Sequence, residues 1–200
     1  MYILVYYVLM TYDQLKSAIT APVFSNFDVV KMFPQEKKTH INTQLSRFVK
    51  LGDLIGLKKG LYTFQGQKVA LQVLANYIVE PSYVSLEYVL NNFGVIPDVV
   101  MNITNITTIK NKTFNTPLGT FLYHRLDAQL FFGFQLVKDD KSGLYYKQAY
   151  TEKALLDYIY LRKIKSLAEN RIDLADMDLG RLNEYATHYP DWVRKVLKIV

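Results

Sequence analysis

The spacing of the apolar residues changes character once in the first third of the chain, at Gly52, and that change limits what these residues can fold into. Before Gly52 the spacing is helical. Leu15, Ala18 and Ile19 follow Asp13, which is suited to cap a first helix. Residues 26–33 form a second short run between Pro22 and Pro34. Ile41, Leu45, Phe48 and Val49 then line one face of a third helix expected over residues 38–50. After Gly52 the pattern is that of strands: residues 53–57 and 60–64 flank the basic turn Lys58-Lys59-Gly60. Three helices and a basic hairpin follow the order of a winged helix-turn-helix, expected over residues 10–66.

The face of the third helix opposite its apolar stripe carries Thr39, Asn42, Thr43, Ser46, Arg47 and Lys50, led in by Lys37 and Lys38. A helix fits the major groove of B-DNA, and short polar side chains with Arg are the residues that reach base edges from it, whereas lysines mostly neutralise phosphates. Thr39, Asn42, Thr43, Ser46 and Arg47 are therefore base-facing candidates. Lys37, Lys38, Lys50, Lys58 and Lys59 are phosphate candidates. A solvated helix face would show the same residues, and the basic hairpin tip tilts the reading toward DNA. Charge agrees in sign: residues 1–66 hold eight Lys/Arg against four Asp/Glu, while residues 67–200 are nearly balanced.

Polar residues 65–68 mark a boundary, and residues 67–200 read as a second, α+β domain. Val69, Leu71, Val73, Leu74 and Ile78 give a connecting helix, and Leu86, Val89, Leu90 and Phe93 another, closed by Gly94. Residues 102–150 are rich in Thr, Ile, Phe and Tyr and are expected to form four or five antiparallel strands. Helices are expected to close the chain, over 151–163, 178–188 and from 191 onward.

Several blocks together resemble the AbiEi-type antitoxins. They are Leu51-Gly52-Asp53-Leu54-Ile55 with Gly60-Leu61-Tyr62; the segment 83–97; Ile103 to Thr108 with Phe114 and Thr116; Gly119 to Tyr123; Phe131-Phe132-Gly133; and Ala149-Tyr150-Thr151-Glu152-Lys153-Ala154-Leu155-Leu156-Asp157. The resemblance implies an antitoxin of a bacterial type IV toxin-antitoxin, or phage-defence, system. Such a protein represses its own operon by binding operator DNA and counteracts a nucleotidyltransferase toxin. Repression would reside in the first domain and antitoxin activity in the second. One departure is visible: Thr151 stands where relatives commonly carry Pro, and both residues suit a helix start. Glu152, Lys153 and Asp157 read chiefly as structural charges in a first helical turn, with contact to a toxin or nucleotide as the alternative.

Two other classes of function are weighed against this one. In the first, the same DNA-binding domain precedes a ligand-sensing domain that has no toxin partner. In the second, Asp98 with Asp139, Asp140 and Lys141 supplies the carboxylates and lysine of a metal-dependent nuclease. Asp139 to Gly143 reads instead as an exposed turn, so the expectation is a protein that is not an enzyme. No metal or other cofactor is expected: cysteine is absent, and His40, His124 and His188 lack ligand spacing. The chain is expected to be cytoplasmic, with no membrane partner. Residues 1–9 are an uncharged apolar run too short to span a bilayer, and they lack the basic start of a signal peptide. They are read as an extension upstream of the natural start at Met10, with an edge strand as the alternative.

Overall fold

Two reciprocal caps decide where the chain first turns helical. Thr11 caps α1 (Tyr12–Ala18): its hydroxyl accepts the Gln14 N–H at 3.3 Å while the Gln14 amide accepts the Thr11 N–H at 2.9 Å. Ser25 and Asp28 repeat the arrangement at the start of α2 (Asn26–Met32). The cap of α1 is thus Thr11 rather than the expected Asp13, which sits within the first turn and faces the positive end of the helix dipole. α3 (Lys38–Leu51) stops at Gly52, whose φ of +82° is the left-handed conformation that closes a helix at least cost when no Cβ is present.

The computed structural model describes residues 10–198, and the chain divides into two compact units between Val69 and Ala70. Residues 1–9, read above as an upstream extension, lie outside the described residues. In the first unit, β1 (Val23–Ser25), β2 (Leu54–Lys58) and β3 (Leu61–Phe64) form an antiparallel sheet in the order β1-β3-β2. β1 is absent from the sequence reading because three residues are too few to display a period of two. A register shift between Gly56 and Lys58 leaves Leu57 as an extra, buried residue and re-aims the strand just before the turn. Leu15, Val29, Ile41 and Leu45 are fully buried between the helices, and Phe24 packs on Phe64 with ring centroids 4.9 Å apart.

The second unit is α+β. Its elements are α4 (Leu71–Ile78), β4 (Ser82–Val84), α5 (Leu86–Asn92), β5 (Ile103–Thr107), β6 (Lys112–Thr116), β7 (Gly119–Arg125), β8 (Phe134–Lys138), β9 (Tyr145–Ala149), α6 (Thr151–Arg162), α7 (Leu179–Ala186) and α8 (Asp191–Leu197). The six strands run in the order β6-β7-β5-β4-β9-β8. This sheet is mixed, which corrects the antiparallel expectation: β5 pairs parallel with β7, and β4 parallel with β9. The reason is a hairpin that turns outward, for β6 takes the edge and β7 returns beside β5 in the same direction. α6 packs against β9 and against α5, α7 and α8, with every residue from Glu152 to Asp157 buried. Among the described residues, no helix is long and apolar enough to cross a membrane.

Candidate functional site

In the first unit, the amphipathic pattern of α3 turns Ile41, Gln44, Leu45 and Phe48 inward and leaves Lys38, Thr39, Thr43, Ser46, Arg47 and Lys50 exposed, with Asn42 half-buried beside them. Asn42, Thr43, Ser46, Arg47 and Lys50 line one shallow depression. The Thr43 hydroxyl donates to the Thr39 carbonyl and the Ser46 hydroxyl to the Asn42 carbonyl, each at 2.9 Å, so both oxygens keep accepting lone pairs and both can rotate toward an incoming ligand. Among the described residues, no carboxylate forms a salt bridge with Arg47 or Lys50. Two of the unit's acidic groups are already engaged elsewhere. Asp28 is held below its usual carboxylate range by hydrogen bonds from the Ser25 backbone and hydroxyl, and Glu36 accepts the Met10 N–H at 2.6 Å.

A residue the sequence reading passed over ties this face to the hairpin. Asn26 donates its backbone N–H to the Gly60 carbonyl at 3.1 Å and its side-chain amide to Asn42 Oδ1 at 3.4 Å. The start of α2, the turn holding Lys58 and Lys59, and the polar face of α3 are thereby joined at one point. Gly60 has φ +77°, and a Cβ there would stand 3.2 Å from the Asn26 amide oxygen, so glycine permits the close approach. Lys58 and Lys59 are exposed, and Lys37 is exposed where α3 begins. Lys38 leans over the exposed ring of Phe27, with its ammonium 4.8 Å from the centroid, which brings an aromatic surface to the same side of the unit. Neither Asn26 nor Phe27 has a spacing signature. Only the fold reveals their position.

The three charges at the start of α6 are turned inward. Lys153 and Asp157, one helical turn apart, form an ion pair with both side chains fully buried. Lys153 also donates to the Tyr83 hydroxyl at 2.9 Å and the Tyr189 hydroxyl at 2.6 Å. Asp157 accepts from Tyr83 and Ser85 on one oxygen, both at 2.9 Å, and from Tyr189 at 2.6 Å on the other. The rings of Tyr83, Phe132 and Tyr189 surround the ammonium, with centroids 5.1 to 5.5 Å away. Burial pushes the lysine below its ordinary range against the pull of Asp157. Burial and then the Asp157 charge push Tyr83 and Tyr189 well above theirs. Glu152, also buried, accepts the Asp178 N–H at 2.9 Å and reaches Arg181 at 3.3 Å. The cluster joins α6 to β4, to α7 and to the segment before α8. In this arrangement all three side chains are turned away from solvent.

The remaining sequence candidates are dispersed. The expected turn is present, with Asp140, Lys141 and Gly143 exposed, but Asp139 at its start is buried: it accepts from the Ala70 N–H at 3.0 Å, the Lys141 N–H at 3.2 Å and the Ser142 hydroxyl at 2.5 Å. Those bonds, the Ser142 hydroxyl foremost, hold its carboxyl below the usual range. Asp98 instead faces Arg171 at 3.9 Å, and β4 and β9 separate β5 from β8, so the carboxylates of the nuclease pattern do not come from adjacent strands. Among the described residues, no three His, Cys, Asp or Glu groups gather to hold a metal ion. His124 lies 3.0 Å from Arg162, which is itself bonded to Glu87; burial and then the guanidinium hold the imidazole below its ordinary range. His188 packs on Phe132, and His40 is half-buried on α3.

No protein-family model matches this chain, and no curated protein is significantly similar to it.

Proposed function

We propose that the chain is a DNA-binding antitoxin whose first unit is a winged helix-turn-helix. In this reading α3 enters the major groove of operator DNA and the β2–β3 hairpin follows the backbone beside it. The observation that carries the DNA-binding part is the exposed polar and cationic face of α3, with Thr43, Ser46, Arg47 and Lys50 outward and the basic turn at residues 58–59 joined to it through Asn26. The element order helix, strand, helix, helix, strand, strand supports the same reading. The antitoxin part draws on the resemblance of residues 51–62 and 83–157 to AbiEi-type antitoxins, and the second unit would counteract a nucleotidyltransferase toxin.

The test for DNA binding is affinity for a duplex taken from upstream of the chain's own coding sequence and for a scrambled duplex of equal length. Arg47 can bond bidentately to a guanine edge, worth about 1–3 kcal/mol of discrimination. Arg47→Ala should therefore weaken the upstream duplex by about tenfold and the scrambled one far less. Equal weakening of both would remove Arg47 from base readout, and no preference by the wild type would remove operator binding. For the antitoxin part, the test is co-expression with the neighbouring toxin gene. Growth restored by this chain is the expected result.

A further inference from the structure

The side-chain amides of Asn26 and Asn42 meet where the β2–β3 hairpin, α2 and α3 converge, and the ends by which they meet decide what the α3 face can read. The Asn26 backbone N–H is spent on the Gly60 carbonyl at 3.1 Å, which anchors the residue at the start of α2. Its side-chain oxygen lies against Gly60: a Cβ on that glycine would stand 3.2 Å from Oδ1 and 3.8 Å from Nδ2. In glycine an α-hydrogen takes the direction of that Cβ, and a Cα–H meets an oxygen favourably and an N–H unfavourably. The Asn26 nitrogen is thus turned away from the hairpin, and it donates to Asn42 Oδ1 at 3.4 Å. Exchanging the ends of both amides would keep a bond between them but would set an N–H against the Cα–H of Gly60.

The consequence falls on Asn42. Its oxygen is held by Asn26, and among the described residues its Nδ2 has no hydrogen-bond partner and is not closed off from solvent. Asn42 is half-buried and lines the shallow depression on α3 together with Thr43, Ser46, Arg47 and Lys50. A side-chain amide with both ends free offers a donor and an acceptor side by side, the pattern that pairs with adenine N6 and N7. With the oxygen held the donor leads, and it matches the acceptors that the major groove presents: purine N7, guanine O6 and thymine O4. Cytosine shows an N4 donor on that edge and is refused. We propose that Asn26 is a positioning residue that fixes the polarity of the Asn42 amide, so that α3 reads at this position a base whose edge accepts. This rests on the reading of α3 as the helix that enters the major groove. Arg47 is unaffected, because a guanidinium only donates and has no polarity to fix.

The experiment takes the duplex that the full chain selects from a random-sequence pool and measures affinity for every single-base-pair variant of it. The base pair at which Asn42→Ala relaxes the preference is the one that Asn42 reads. Asn26→Ala should relax the preference at that same base pair, by about threefold to tenfold, the scale of one hydrogen bond, and leave the other positions as in the wild type. In the Asn42→Ala background it should change nothing further, since a positioning residue acts only through the group it positions. Asn26→Asp keeps the shape but can only accept, so it should draw the Asn42 nitrogen inward, turn the oxygen outward and move the preferred base there to cytosine or adenine. The added charge lowers affinity for every duplex alike, so the ratio between base pairs is what is read. A wild type that selects no sequence removes the DNA reading and this proposal with it. Where the wild type does select, four results overturn the proposal and leave the DNA reading in place: no base pair relaxed by Asn42→Ala, an Asn26→Ala effect at other base pairs, an effect that persists without Asn42, or an unmoved preference in Asn26→Asp.

Discussion

Lys153 has three N–H donors and all three are used, on Tyr83, Tyr189 and Asp157, while the Asp157 carboxylate accepts four bonds. A buried ion pair is tolerable only when its remaining hydrogen-bonding capacity is met in this way. The same cluster gives the second unit a dependence on alkaline pH. A tyrosine whose pKa is raised by folding contributes stability that is fully present below its unfolded value of 10.0 and is lost as pH rises through the folded value. Tyr83, Tyr123 and Tyr189 all shift in that direction, each chiefly through burial. The lowered lysine acts in the opposite sense: its contribution is present above its unfolded 10.5 and lost as pH falls through the lower folded value, so above 10.5 it leaves the slope to the phenols. Urea unfolding measured across the range above pH 10.0 should show stability falling with pH, with a shallower fall for Tyr83→Phe. A flat profile would mean that these phenols reach water in the folded state. Gly133 tests the same packing without titration. Its φ is +70°, and a Cβ there would stand 3.0 Å from both Lys153 Cγ and Tyr185 Cε2, whereas Gly143, at φ +71°, faces open space. Gly143→Ala should cost about 1–2 kcal/mol for the left-handed backbone alone. Gly133→Ala should add about 1–3 kcal/mol of overpacking, and equal losses in urea unfolding would show that the cluster yields.

At the scale of elements, the hairpin and α3 divide the proposed DNA recognition by the chemistry of their side chains. Lys58 and Lys59 sit beyond the bulge at Leu57, on a turn fixed by the Asn26 to Gly60 hydrogen bond. Lysine neutralises phosphate without reading bases, and each phosphate left without its lysine lowers the slope of log affinity against log salt by about 0.9. The Lys58→Ala, Lys59→Ala double variant should flatten that slope on any duplex while keeping the preference between duplexes. An unchanged slope would take the hairpin off the DNA. What sequence could reveal here followed period and punctuation. The stripe of Ile41, Leu45 and Phe48 and the stop at Gly52 were legible because a long helix repeats its pattern several times and a glycine closes it. β1 and β4 were not, since three residues carry no period, and β4 is central and buried on every residue only because long-range pairing puts it there. The parallel pairings were hidden for the same reason. Likewise, the i to i+4 relation of Lys153 and Asp157 was visible in the chain, but the tyrosines that make their burial tolerable come from 70 and 36 residues away.

For the whole molecule, the division at Val69 and Ala70 makes separability a measurable property. Each unit has its own buried core and its own sheet, and backbone pairing of the strands stays within each unit. The second unit also secures its own beginning: the Ala70 N–H, at the start of α4, is held by Asp139 in the turn between β8 and β9. A chain cut just before Ala70 should therefore keep that bond if one or two residues are left ahead of it. Residues 1–69 alone should fold cooperatively and bind the upstream duplex with the salt slope of the full chain, because α3 and the hairpin lie wholly inside them. Residues 68–200 should show the alkaline loss of stability described above, since Tyr83, Tyr123 and Tyr189 all lie there, and should bind no DNA. Under the proposed function the same fragment, co-expressed with the neighbouring toxin, should restore growth. Cooperative unfolding of both fragments together with persistent toxicity would leave the division intact and remove the antitoxin role from the second unit. Failure of residues 68–200 to fold, judged by a non-cooperative urea transition, would show instead that its core depends on the residues before Lys68.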